Sequence, residues 1–160
     1  MSKNLSKITE SISIDLKKRC PNQRATQRRK LSELVAAVLQ CQSPNLMELS
    51  NVIDRPIESA EARYNYVERF LKNDHVKIQE VMSTYGKDLL NRLSKAQKTI
   101  ILMIDQSKIN DNLELLMISV RVKKRALPLY WCACDNKGGA IGFNKQEELL
   151  SVVKSWFSAD

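Results

Sequence analysis

The sequence predicts an α+β protein: a run of helices to about residue 95, then a three-stranded antiparallel meander and one closing helix. In the first part apolar residues recur at three- and four-residue spacing, with breaks at prolines. The second part opens on three apolar runs of strand length joined by short polar turns. It ends on a return to helical spacing.

Residues 5–18 carry Leu5, Ile8, Ile12 and Leu16 on one helical face. Cys20-Pro21 ends that helix, because the residue before a proline avoids the α region. The next segment, "NQRATQRRKLSELVAAVLQCQ", sets Leu31, Leu34, Val35, Val38 and Leu39 on one stripe, predicted to face the core. Its first turns carry Arg24, Arg28, Arg29 and Lys30. Cations there oppose the helix macrodipole unless an anion lies close. A solvated basic face and contact with phosphates account for them equally well.

Ser43-Pro44 restarts a helix with a capping residue and a proline at its first position. Leu46, Leu49 and Ile53 give this helix its apolar face, and Asp54-Arg55-Pro56 breaks it. A further helix from about Ser59 to Asn73 turns Tyr64, Val67, Phe70 and Leu71 inward. It leaves Arg63, Asn65, Tyr66, Arg69 and Lys72 outside. Two short helices with a tight break have the layout of a helix-turn-helix, the second being the recognition helix. Its polar residues are of the types that contact phosphates and base edges. Ile78, Val81, Met82, Tyr85, Leu89 and Leu93 give a last helix over residues 76–95. Gly86 inside it costs about 1 kcal/mol relative to alanine and marks a kink or break. Ser94-Lys95-Ala96-Gln97 is the expected boundary between a helical region, 1–95, and a second region, 96–160.

In that second region Ile100 to Ile104 form the first strand, which stops on Asp105. A polar turn covers Gln106 to Asn112, the second strand runs from Leu113 to Val122, and Lys123–Arg125 turn into a third, Ala126 to Cys132. The first two strands are apolar at almost every position and are predicted to be buried on both faces. Pro128 cannot donate to a ladder, so the third belongs on an edge. Asp135 to Gly142 is a loop marked by Gly138-Gly139, and residues 145–157 form an amphipathic helix with Leu149, Leu150, Val153, Trp156 and Phe157 apolar. Aspartate is common at turns, and Asp105 fits that role by itself.

The formal net charge of the 160-residue chain is +8. Residues 1–30 hold nine Lys or Arg against Glu10 and Asp15, a net +7, so almost the whole excess sits at one end. That imbalance suits a polyanionic partner. The absence of a membrane-length apolar run and of a signal-peptide core predicts a cytoplasmic protein with no membrane partner. Cys20, Cys41, Cys132 and Cys134, with His75 as the only histidine, have neither disulfide-framework nor zinc spacing and read as reduced thiols. Cys132 and Cys134 face the same side of a strand.

The segment "TIILMIDQSKINDNLELLMISVRVKKRALPLYWC" resembles the opening of the ribonuclease-H-like catalytic domain of insertion-sequence DDE transposases. In that family the first strand ends in "IDxS" or "IDxT", as Ile104–Ser107 does. "SPNLMELSNVIDRPIESAEARYNYVERFLKN" resembles the DNA-binding region of the same transposases, where an "R-F-L" run follows the second short helix, as Arg69-Phe70-Leu71 does. The resemblance runs in order from about Arg28 to Phe157.

What the resemblance implies is specific. Asp105 would be the first of three carboxylates holding Mg2+ (or Mn2+) in an enzyme that cuts and joins DNA by in-line attack at phosphorus. The partner would be double-stranded DNA at element ends, met by Arg24, Arg28, Arg29, Lys30, Arg63, Asn65, Tyr66, Arg69 and Lys72, with a homo-oligomer as the working form. The family's second Asp and its Glu lie further along, and Asp111, Glu114, Asp135, Glu147 and Glu148 do not match their positions. The expectation is therefore a truncated transposase that binds DNA, holds no metal alone and does not catalyse transposition. Its first strand, central in the complete domain, becomes an exposed edge, so the second region should be unstable alone or pair with another chain. An alternative expectation is a non-catalytic regulator that represses transposition by occupying element ends. A third is an unrelated basic protein whose meander only resembles the fold.

Overall fold

The computed structural model describes residues 3–53, 55–96, 99–135 and 140–157. Asp54 of the helix break, Gln97 of the expected boundary and the Gly138-Gly139 pair lie outside the described residues. Among the described residues the chain is α+β, with six helices and a three-stranded antiparallel sheet. The order is α1 (Lys3–Arg19), α2 (Ala25–Cys41), α3 (Leu46–Val52), α4 (Ala60–Leu71), α5 (Ile78–Ala96), β1 (Leu102–Asn110), β2 (Leu113–Val122), β3 (Arg125–Asp135) and α6 (Phe143–Lys154). Two compact units result, Met1–Lys77 and Ile78–Asp160.

In the first unit α1 packs on α2 and α3 packs on α2 and α4. Only part of the apolar stripe expected of α2 faces the core, where Leu34 packs on the apolar cluster. Val35, Val38 and Leu39 are exposed, Leu39 to 57%, while Ser32, Ala36 and Ala37 are sealed completely. Small side chains let a neighbouring helix approach closely, and hydropathy ranks them below Val and Leu. The Ser32 hydroxyl donates to the Arg28 carbonyl one turn back at 2.6 Å, so it is buried with its hydrogen bond made. Ala37 joins Leu49, Ile53 and Val67 in a small apolar cluster.

The start of α3 lies two residues past the expected proline start. Asn45 is the capping residue, its side chain accepting the Met47 N–H at 2.9 Å, and Ser43 accepts the Asn45 N–H at 3.2 Å. α4 starts as expected, with Ser59 Oγ accepting the Ala62 N–H at 3.0 Å. Residues 53–59 separate the two helices, longer than the three- to four-residue turn of a helix-turn-helix. Val67 and Phe70 are buried on α4, but Leu71 is 54% exposed and Tyr66 turns inward in its place.

In the second unit both β1 and β3 are edges of the order β1-β2-β3. β1 does not stop at Asp105. It continues through Gln106–Asn110, pairs with β2 from Leu102↔Val120 to Asn110↔Leu113, and turns in two residues, Asp111-Asn112. The polarity of that stretch reflects exposure rather than a turn, because an edge strand facing solvent needs few apolar side chains. β1 is accordingly exposed over most of its length, not buried on both faces. β2 meets the expected span, and Leu116, Ile118 and Val120 on one of its faces are fully buried.

That face carries the core: Leu90 of α5, Leu129 of β3, Leu149 and Val153 of α6, and Trp156 just beyond it. A shift of register opposite Ile118 and Ser119 makes Leu129 the extra residue of a bulge, next to Pro128, which needs no ladder partner for a missing N–H. α5 is continuous through Gly86, where a kink was expected. A Cβ there would lie 2.4 Å from Trp156 Cζ3, so the glycine makes room for the indole. Tyr130 meets the same indole edge-on, with centroids 5.8 Å apart. α5 thus belongs with the sheet unit, ahead of the boundary expected at 94–97, because Met82, Leu89, Leu90 and Leu93 pack into the sheet's core.

Candidate functional site

The nine residues expected to meet DNA all lie in the first unit, and they divide by what already occupies their side chains. Arg28 reaches back across the α1–α2 connection. Its Nη1 donates to the carbonyls of Cys20 at 3.2 Å, Pro21 at 2.9 Å and Gln23. Carbonyls past a helix end lack intrahelical donors, and a guanidinium satisfies them with favourable charge. Arg63 does the same for the connection before α4, donating from Nη1 to Ile57 O at 2.9 Å and Glu58 O at 3.0 Å. These two arginines hold backbone.

Arg29 and Tyr66 converge on Glu33, the one acid of the basic segment, and Lys30 lies over the Tyr66 ring. Arg55 Nε and Nη2 donate to the two Glu33 carboxylate oxygens at 3.1 and 2.7 Å, a bidentate pair. The Tyr66 hydroxyl donates to Glu33 Oε2 at 2.8 Å, and Arg29 Nε stands 4.0 Å from Oε1. The Lys30 ammonium and the Arg55 guanidinium lie 4.9 and 5.0 Å from the Tyr66 ring centroid. Burial raises the Tyr66 phenol well above its ordinary value, and the hydrogen bond to Glu33 adds to the shift. Arg55 is raised as well, by its hydrogen bond to Glu33. Glu33 keeps only 12% of its side chain exposed, which suits an anion that ties α2, α4 and the segment between α3 and α4 together.

Lys72 pairs with Glu68 at 2.9 Å one turn away, on open surface. Arg24 and Arg69 are exposed, and among the described residues neither their side chains nor that of Asn65 makes a hydrogen bond or ion pair. Arg24 is the N-cap position of α2 yet caps nothing with its side chain. These are the cations of the set whose charge is open to a ligand.

Asp105 sits in the middle of β1, exposed, directly across from Met117. By register it shares the sheet face with Met103, Ser107, Leu115, Met117 and Trp131, opposite the face that carries the core. The Ser107 hydroxyl donates to Asp105 Oδ2 at 2.8 Å, so the first and last polar residues of the "IDQS" run bond to each other. A two-metal centre needs several carboxylates converging from different elements. Among the described residues no three His, Cys, Asp or Glu side chains converge in that way. Asp105 with these neighbours does not fit the group.

No helix among the described residues is long and apolar enough to cross a membrane. The chain matches no family model, no curated protein and no solved structure.

Proposed function

We propose that this chain carries the DNA-binding region and the first strands of the ribonuclease-H-like domain of an insertion-sequence DDE transposase, and that it binds double-stranded DNA through its first unit. The observation that carries the reading is an order of elements. A strongly basic helical unit is followed by three consecutive antiparallel strands with "IDQS" on the first, and then by a helix. That order agrees with what the two sequence resemblances imply. The exposed, unpaired Arg24 and Arg69 supply charge that can neutralise phosphates.

Binding by the full chain to the inverted repeats flanking its own gene, compared with random duplex of equal length, tests the proposal. Specific recognition predicts affinity for the repeats on the order of 10³-fold or more above random DNA, falling steeply with salt. Equal affinity for both duplexes would remove the transposase reading, and absence of binding to either would remove DNA binding altogether. A regulator of transposition would show the same specificity, and strand transfer by the complete gene product separates the two.

A further inference from the structure

Cys132 and Cys134 stand two positions apart on β3, on the sheet face that carries the core, with Leu116 and Glu114 as their partners across the ladder. Residues i and i+2 of a strand have Cα atoms about 6.7 Å apart, so their sulfurs meet only if both side chains lean together. They do. The two Sγ atoms are 3.4 Å apart, within hydrogen-bond distance for a thiol pair. A cavity of about 390 Å3 opens beside Cys134, lined also by Glu114, Asp135, Ile141, Gly142 and Lys145. Gly142 is the N-cap of α6, so the positive end of that helix faces the same space. Burial pushes the Cys132 thiol up to about 11 and the hydrogen bond with Cys134 adds to the shift, while the Lys145 ammonium, held by Glu148 at 2.7 Å, draws it partly back down.

We propose that Cys132 and Cys134 form a two-thiolate chelating site for a soft divalent metal ion, with the remaining coordination positions filled from the cavity. Distance separates this use from its competitors. Two sulfurs on a tetrahedral ion with bonds of about 2.3 Å lie about 3.8 Å apart, so the pair needs to spread by only a few tenths of an ångström. A disulfide at about 2.04 Å needs the sulfurs to close by more than an ångström, from Cα atoms at the far end of the spacing that disulfides span. An ion on a straight sulfur–metal–sulfur axis needs them more than an ångström farther apart than they are. Binding releases two thiol protons to solvent and forms two sulfur–metal bonds, and no electron changes hands. No third His, Cys, Asp or Glu joins the pair in a metal cluster among the described residues, so the ion is expected to exchange rather than to be locked in. The site draws on nothing in the first unit and stands independently of the DNA-binding reading.

Cadmium is the probe, titrated into the reduced full chain and followed by sulfur-to-metal charge-transfer absorbance. One equivalent is expected to saturate. Cys132→Ser and Cys134→Ser should each weaken binding by roughly tenfold or more, on the scale known for damaged metal sites. The Cys20→Ser/Cys41→Ser double variant should leave it unchanged. Cadmium should also protect Cys132 and Cys134 of the wild-type chain from alkylation, read by peptide mass spectrometry, a measurement that needs no variant to fold. No absorbance change at saturating cadmium, or alkylation of Cys132 and Cys134 at the same rate with and without it, overturns the proposal.

Discussion

Each unit is stabilised internally by its own means. The sheet unit has one apolar cluster in which Leu116, Ile118, Val120, Leu129, Leu149 and Val153 are nearly sealed and Trp156 fills a slot cut by Gly86. The helical unit has a smaller apolar cluster and adds polar locks: Arg28 on the carbonyls after α1, Arg63 on those before α4, and Glu33 joining Arg55 to Tyr66. The contrast bears on how a basic helical region is read. Three of the residues that look like DNA contacts in sequence, Arg28, Arg63 and Tyr66, are occupied in holding the helices in place. Charge density on a segment counts cations, and it does not say which of them are free.

The sharpest way to break the comparison is at the indole slot. Trp156→Ala should destabilise the sheet unit by about 3–5 kcal/mol, the usual cost of emptying a large aromatic site. Hydrogen exchange of β2 amides reads that loss, and α2 amides should not follow. Gly86→Ala is the smaller and more discriminating change. Helix propensity alone predicts a gain of about 1 kcal/mol. Contact with Trp156 predicts a net loss of about 1–2 kcal/mol from overpacking. A rise in melting temperature would show that the slot is loose.

The polar locks come next in size. Glu33→Gln should lower the stability of the helical unit by about 1–3 kcal/mol, since it removes the charge that faces Arg55 and leaves that guanidinium half-buried without its partner. The same substitution should move the Tyr66 phenol down toward its ordinary value, seen by ultraviolet titration. Because folding raises that phenol, its contribution to stability is complete below the ordinary tyrosine value near 10 and fades as pH rises above it. Arg28→Ala should cost less, about 1 kcal/mol, the scale of a lost helix cap, and it should fray the end of α1 first.

Much of the fold was legible because its signals are local. Proline breaks, the start of α4 near Ser59, the β2 run and the edge position of β3 follow from chain chemistry within a few residues. The misses share a cause, which is that they depend on a neighbour. Val35, Val38 and Leu39 look like a core stripe until the closeness of an adjacent helix favours Ser32, Ala36 and Ala37 instead. Gly86 looks like a helix breaker until Trp156, seventy positions on, occupies the space above it. The span Gln106–Asn110 looks like a turn because edge strands tolerate polar residues. Of the site, the presence of surplus positive charge was readable. Glu33 was the signal passed over: a lone acid in a basic segment has to be balancing something.

The most direct test compares free and occupied cations for DNA binding by the full chain as salt is varied. The double variant Arg24→Ala/Arg69→Ala should keep its stability within about 0.5 kcal/mol of the wild type. It should flatten the slope of log affinity against log salt by about 2, one for each lost phosphate contact. A slope unchanged from wild type in that stable variant would contradict the account, because the unpaired arginines would then not be the ones that meet DNA.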